Sequence, residues 1–407
     1  MTGGAGRGTP AGPQLIRAMN EQLLLGLIRE GGKVSRAELA RLSRLSKPTV
    51  SLALSNLERA GLAQASGVRT GAPGPAAVLY EVRPEAGFVL ALDIGSHFLR
   101  GAICDIAGTV RARSALPVKA ATSHGLVAEL GELAGKLYAE AGLRAGDITQ
   151  TVLGSPGVYD PRRDALALAG ALPGWDQPIV LDELRRTFSD SLMIENDADA
   201  AALAERAHGH GRHVDSFAFV SIGTGIGMGL VLNGRLHRGA HGAAGEIGFL
   251  PLGTGARTDA RDARRRGALE AAASAAGILR AARRAGIRRP VSARSVFAAA
   301  AARDERAMRV VADEAKLVAQ AICSVIAVAD PELVVLGGGI GQAIGFCDAV
   351  RRELRVLAPV QPELRVSALG VDAVVDGCLA AGSERAWDLV TSALRPTEVT
   401  DDASGAS

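Results

Sequence analysis

Gly223-Thr224-Gly225-Ile226-Gly227, followed by Gly242-Ala243-Ala244-Gly245-Glu246-Ile247-Gly248, is the stretch on which the reading of this chain turns. Glycines at this density let backbone amides approach phosphate oxygens and tolerate the positive φ of tight turns. One Gly-x-Gly-x-Gly among 50 glycines is more often a tight turn than a phosphate cradle, so its weight comes from what surrounds it. The apolar run at 217–222 reads as a buried strand feeding that loop. Similar runs at 88–92, 151–153, 192–194 and 333–336 lead into Asp93-Ile94-Gly95, Gly154-Ser155-Pro156-Gly157, Glu195-Asn196-Asp197 and Gly337-Gly338-Gly339. A second strand over 99–106 and a third beyond Gly108 make the first part of this region a β meander. Strands that end in such loops and alternate with helices predict an α/β body holding a small molecule at the strands' carboxyl ends. There is no internal sequence repeat.

A chain of 407 residues has room for two or three cores, so a small head on a bilobal body is affordable in buried area. Cys104, Cys323, Cys347 and Cys378 have neither metal-like nor paired spacing, which predicts reduced thiols. Neither an apolar run of roughly 20 residues nor a cleavable leader is visible, so the expectation is a cytoplasmic, nucleoid-associated protein with no membrane partner. The net charge of +3 is unevenly spread: residues 1–85 hold 11 Lys and Arg against 6 Asp and Glu. A basic head suits a polyanion, although solvated helices carry such an excess too.

That head, residues 14–84, reads as three helices and a hairpin. Leu15, Met19, Leu23 and Leu27, with Ile16, Leu24 and Ile28 beside them, form an apolar stripe that predicts a first helix, ended by Gly31-Gly32. Ser35 and Glu38 have capping-box spacing for a second, and Ser46 caps a third. In the third helix Val50, Leu54 and Leu57 share one face, which turns Pro48, Ser51, Leu52, Ser55 and Asn56 outward. Lys47, Thr49 and Ser51 can bond phosphates or base edges, and Leu52 can touch a thymine methyl, so this is the candidate recognition helix. Residues 62–66 and 77–82 predict a hairpin, a wing whose glycine- and proline-rich tip carries Arg69 toward a minor groove or phosphate. A plain three-helix bundle with a solvated third helix is the blander alternative.

Taken together, Ala91-Leu92-Asp93-Ile94-Gly95, Pro156-Gly157, Leu172-Pro173-Gly174-Trp175, Glu195-Asn196-Asp197-Ala198, the 223–227 loop, residues 238–248 and Leu336-Gly337-Gly338-Gly339 resemble, in that order, the ROK family of repressors and sugar kinases. The head, with Ser46-Lys47-Pro48-Thr49-Val50-Ser51, resembles the winged helix of that family's xylose and N-acetylglucosamine repressors. The resemblance implies an actin/hexokinase-like two-lobed body with a sugar between the lobes, assembled as a homodimer or dimer of dimers. It implies an N-terminal lobe over 86–206 completed by a C-terminal helix over 378–395, and a C-terminal lobe over 207–377. Residues 1–12 and 396–407 read as disordered tails. The family's sugar contacts fall on Gly157, Asn196, Asp197, Glu246 and Glu270. Carboxylates and an amide suit a ring of hydroxyls, while Asn196-Asp197 also reads as a strand-end turn that caps a helix. Phosphate-loop remnants fall on Asp93, Gly95, Gly223, Thr224, Gly225 and Gly227.

Two departures from that pattern matter. Ser96-His97 replace the Gly-Thr that offers phosphate-binding groups in the family's kinases, so ATP and Mg²⁺ are not expected as cofactors. Asp197, the base of a kinase, then reads as a ligand contact in a non-enzyme. The family's zinc positions fall on Phe249, Arg261, Ala263 and Ala268, none of them a zinc ligand, so no structural metal is expected. The arginine-rich 257–266 reads as a solvated loop. The expectation is a sugar-responsive DNA-binding regulator, of repressor type, that binds a palindromic double-stranded operator and takes a sugar or sugar phosphate as effector. The alternatives are a ROK-type sugar kinase with a fused head and a ligand-independent DNA-binding protein.

Overall fold

The computed structural model describes residues 12–69, 77–170, 172–189, 191–251, 260–288 and 290–394. The expected tails, save Gly12, and the hairpin tip at 70–76 lie outside the described residues.

The head is built from α1 (Pro13–Gly31), β1 (Val34–Ser35), α2 (Arg36–Ser43), α3 (Lys47–Arg59), β2 (Ala63–Arg69) and β3 (Ala77–Val82). Both helix starts follow their local chemistry. Ser35 Oγ accepts from the Glu38 amide at 3.3 Å while Glu38 Oε2 accepts from the Ser35 amide at 2.9 Å, and Ser46 Oγ accepts from the Thr49 amide at 3.3 Å. Gly61, at φ 72°, turns the chain out of α3 into the hairpin. The strands form one antiparallel sheet in the order β1-β3-β2, with Ala63 opposite Val82 and Ala65 opposite Tyr80. Helix, strand, two helices and a hairpin are the layout of a winged helix.

Three expectations for the head are corrected here. Of the expected stripe, Leu24 and Ile28 are buried but Leu15, Ile16, Met19 and Leu23 are 43–58% exposed, because α1 docks along Ala18, Glu21, Leu24, Leu25 and Ile28. Asn56 does not face solvent freely, since its Nδ2 donates to the buried Glu21 Oε1 at 2.5 Å and ties α3 to α1. Arg69 is not a free wing-tip cation. It ends β2, and its Nη1 meets Glu38 Oε1 on α2 at 2.7 Å.

In the body, the first lobe contains β4 (Phe88–Ile94), β5 (Phe98–Asp105), β6 (Val110–Pro117), α4 (Ser123–Ala141), β7 (Gln150–Ser155), the small hairpin β8 (Val158–Asp160) and β9 (Ala165–Ala167), α5 (Pro178–Phe188), β10 (Leu192–Asn196) and α6 (Asp197–His208). The second contains β11 (Phe217–Ile222), β12 (Ile226–Leu232), β13 (Arg235–Leu236), α7 (Ala260–Arg266), α8 (Ala268–Ala273), α9 (Ala275–Arg284), α10 (Ala293–Ala301), α11 (Glu305–Ala329), β14 (Leu333–Gly337), α12 (Gly338–Gly341), α13 (Phe346–Leu357) and β15 (Glu363–Val366). The chain then returns to the first lobe through α14 (Ala373–Ser392).

The two lobes share one topology without sharing a sequence. Each sheet has five strands, ordered β10-β7-β4-β5-β6 in one and β13-β12-β11-β14-β15 in the other. In both, an antiparallel meander is extended by two parallel strands beside its first member. Parallel strands buried on both faces need unbroken apolar runs, and β4 and β14 are buried at every position. Two boundaries differ from expectation. Residues 260–266 of the expected loop are helical, forming α7. The last helix starts at Ala373, not 378, and runs through Gly377, where a Cβ would lie 1.7 Å from Ala200 O. Glycine there marks a close crossing of α14 over α6, not a helix boundary. Among the described residues no helix is long and apolar enough to cross a membrane.

Candidate ligand cleft and outward face of the head

The parallel strands of both lobes point their carboxyl ends into one cleft of about 870 Å³, larger than a single sugar ring requires. Its first-lobe wall is set by β4, β7 and β10. Gly157, at φ 85°, occupies a position where a Cβ would fall 2.6 Å from Ala167 O, so only glycine closes the turn after β7. Asn196 ends β10 and caps α6: its Oδ1 accepts from the Ala198 and Asp199 amides at 2.9 and 3.2 Å, while its Nδ2 donates to Gly157 O at 2.8 Å. The cap and the positioning of Gly157 are one arrangement.

Asp197 follows, with Oδ1 accepting from the Ala198 amide at 2.8 Å, and its carboxyl is raised to about 6 by loss of solvation. From the other lobe, Glu246 lies just before the turn Ile247–Phe249. Burial raises it to about 7, with the charges of Asp197 and Glu270 adding to the effect. Glu270 Oε2 accepts from the Ile226 amide at 2.9 Å. The same oxygen would lie 2.8 Å from a Cβ on Gly225, so the Gly223–Gly227 loop is shaped around that carboxylate. Gly157, Asn196, Asp197, Glu246 and Glu270 thus line a single cleft, as do Asp93, Gly95, Gly223, Thr224, Gly225 and Gly227.

At the base of the cleft a carboxylate and a guanidinium are paired. Asp93 is buried and raised to about 7, first by desolvation and then by the charge of Asp197. Arg100 opposes that rise, with its Nη1 3.5 Å from Asp93 Oδ2. The two are cross-strand partners in the β4–β5 hairpin, so the register that follows from the Ile94–Phe98 turn identifies the pair. Sequence reading missed Arg100 because it treated the strand only as core. Ser96, one residue past Gly95, accepts from Thr224 Oγ1 at 3.4 Å and joins the two lobes. Behind the cleft, Arg238 Nε bonds Glu195 Oε1 at 3.1 Å. Asp199, buried beside that pair, is raised to about 8, chiefly by desolvation and then by Glu195.

On the head, Lys47, Pro48, Leu52 and Ser55 are exposed along α3, and Thr49 and Ser51 are half-buried. Thr49 Oγ1 is shared with the cap, 2.8 Å from Ser46 Oγ. Arg41 and Arg44, exposed at the end of α2, extend the basic surface beside Lys47; their position just ahead of the Ser46 cap was the signal that reading α3 alone overlooked.

The ROK family profile matches residues 89–376, which takes in the cleft and both sheets. This chain belongs to the ROK family. It is 42% identical over 149 residues to the bifunctional enzyme NanE/NanK of Brucella melitensis, covering 36% of this chain and 27% of that protein. The xylose repressor of Caldicellulosiruptor bescii is 24% identical over 239 residues, covering 58% of this chain and 60% of the repressor. The chain therefore spans only about a quarter of the first relative and three fifths of the second. The crystal structure of a ROK family transcriptional regulator, a homolog of the E. coli MLC protein, superposes with a TM-score of 0.73 at 24% identity over 93% of this chain and 98% of that one. That likeness is one of fold, and it includes the head.

The metal sites that ROK kinship suggests do not fit the residues present. Phe249, Ala263 and Ala268 stand at the zinc positions and carry no donor atoms; the side chain of Arg261, the fourth, lies outside the described residues. Phe249 is 40% exposed at the cleft wall. Among the described residues no group of three or more His, Cys, Asp or Glu is placed to hold a metal ion.

Proposed function

We propose that this ROK protein is a DNA-binding transcriptional regulator of repressor type whose cleft senses a sugar or sugar phosphate. The observation that carries the reading is the outward face of α3. Lys47, Pro48, Leu52 and Ser55 are solvent-facing while Val50, Leu54 and Leu57 are buried beneath them, so the helix is held from behind and presented in front. Short hydroxyls, one lysine and a leucine suit the donors, acceptors and methyls of a major groove. The cleft supplies the other half of a switch, with Asn196, Asp197, Glu246 and Glu270 as the groups that bond sugar hydroxyls. The operator is taken to be palindromic and the assembly a homodimer or dimer of dimers.

A sugar kinase is the second reading, and Asp197 favours it: a carboxyl raised to about 6 is suited to a general base. Against it stands Arg100, whose guanidinium, 3.5 Å from Asp93 Oδ2, would compete with a magnesium nucleotide for that carboxyl. ATP and magnesium are accordingly not part of the proposal.

Fluorescence anisotropy on a duplex selected from a random pool with the intact protein tests the reading. Addition of the cognate member of a panel of xylose, glucose, N-acetylglucosamine, N-acetylmannosamine and the hexose 6-phosphates is expected to change the DNA Kd by about 5- to 150-fold. No preference for any duplex, or sugar-dependent ATP turnover at about 1 s⁻¹ or faster, would overturn it.

A further inference from the structure

The head is not tethered to the body by a free linker; it is packed on the far end of α14, whose near end forms part of the cleft. Ala373 and Val374, in the first turn of α14, line the cleft. One turn on, Gly377 lies against Ala200 O so closely that a Cβ would sit 1.7 Å away, and Gly382 leaves a Cβ only 2.4 Å from Val89. Ala200 belongs to α6, the helix that begins with Asn196 and Asp197. A helix crossing with no free volume cannot absorb a shift of α6 by local relaxation, so α14 must move with it.

Beyond that crossing, the same helix becomes part of the head. Trp387, Val390 and Leu394 pack against the head core. Arg29 of α1 bonds Glu384 at 2.7 Å and lies over the Trp387 ring at 4.5 Å, while Gln22 Nε2 donates to Thr391 O at 2.9 Å. Adjacent to Gln22, the buried Glu21 accepts from Asn56 of α3 at 2.5 Å. Two successive residues of α1 therefore hold the body with one side chain and the candidate recognition helix with the other. The contiguous route is α6, α14, α1, α3.

We propose that α14 is the element through which occupancy of the cleft reaches α3, with Gln22 and Arg29 as its positioning residues. The inference rests on the regulator reading above and specifies how that regulation is transmitted. Cleft closure on a ligand shifts α6, the glycine crossing carries α14 with it, and α1 re-aims the head.

The test is a coupling measurement on the full chain: the ratio of DNA Kd with and without saturating sugar, using the selected duplex and the panel above. Sugar Kd is measured separately by calorimetry. Arg29→Ala combined with Gln22→Ala, and Glu384→Gln as a milder variant, are compared with wild type, with circular dichroism as the folding control. The double variant is expected to keep sugar affinity within about threefold and to bind DNA, while the Kd ratio falls toward 1; Glu384→Gln is expected to fall between the two. Amide exchange in α1, altered by sugar in wild type, is expected to lose that response in the double variant. A Kd ratio unchanged in folded variants would overturn the relay while leaving the regulator reading intact. Wild-type protein that binds sugar with no change in DNA Kd would remove both.

Discussion

Asp199 shows how one carboxyl can set a pH dependence for the entire body. Buried beside Glu195 and raised to about 8, it keeps its proton in the native state over a range where the unfolded chain, with an Asp near 3.9, has lost it. The native state then binds more protons, so stability is greatest at the low end of that interval and falls as pH rises toward 8. Asp93 and Glu246, each about 7, and Asp197, about 6, act in the same direction. Glu38 and Asp164, both lowered to about 2 by arginine hydrogen bonds, are fully ionised above pH 5 and add no slope there. Thermal melts from pH 5 to 8 are expected to show a falling midpoint, and Asp199→Asn to flatten that fall by stabilising the protein at pH 8 more than at pH 5. At this scale the sequence displayed the cleft-lining carboxylates and amide through their loop motifs. It hid Arg100 and Glu21, because a charged residue within an apolar run declares its partner only once strand register or helix packing is known.

Elements were legible wherever a local signal sufficed. The capping residues Ser35 and Ser46 located α2 and α3, and the apolar runs located β4, β11 and β14. Failures came where a tertiary contact decides. On α1 the expected apolar stripe is too broad, and only docking in the folded head buries Leu24 and Ile28 while leaving Leu15, Met19 and Leu23 exposed. Gly377 likewise lies just outside the helix expected over 378–395, and inside α14 as a packing requirement in the fold. Substitution distinguishes the two. Gly377→Ala drives a methyl into the backbone of α6 and is expected to cost about 1–3 kcal/mol or more, seen as a lower denaturation midpoint. Gly339→Ala, with no heavy atom within 4 Å of the added Cβ, is expected to leave that midpoint nearly unchanged.

For the molecule as a whole, the α/β class of the body followed from strand-then-loop spacing and its division into two lobes from the resemblance to the ROK family, whereas the matching topology of the two sheets left no trace as a repeat. Sheet order depends on non-local pairing that many sequences satisfy, so five-stranded sheets ordered alike can arise from unlike residues. Electrostatics also operates at this scale. The exposed Lys47, with Arg41 and Arg44 beside it, gives the head a basic surface against a body of the opposite net sign. DNA affinity is therefore expected to fall steeply with salt, and Lys47→Ala to reduce the slope of log K against log salt by about 1, as measured by anisotropy across a potassium chloride series. An unchanged slope would place the phosphate contacts elsewhere on the head.

The packing of Trp387, Val390 and Leu394 into the head core has a consequence for biogenesis. Gln22 and Thr391, which touch in the finished fold, are separated by 369 positions along the chain. The head thus precedes in the chain the helix that completes its core, and carries an uncovered apolar flank until α14 has been made. On the regulator reading proposed above, competence for DNA then waits on the completion of α14.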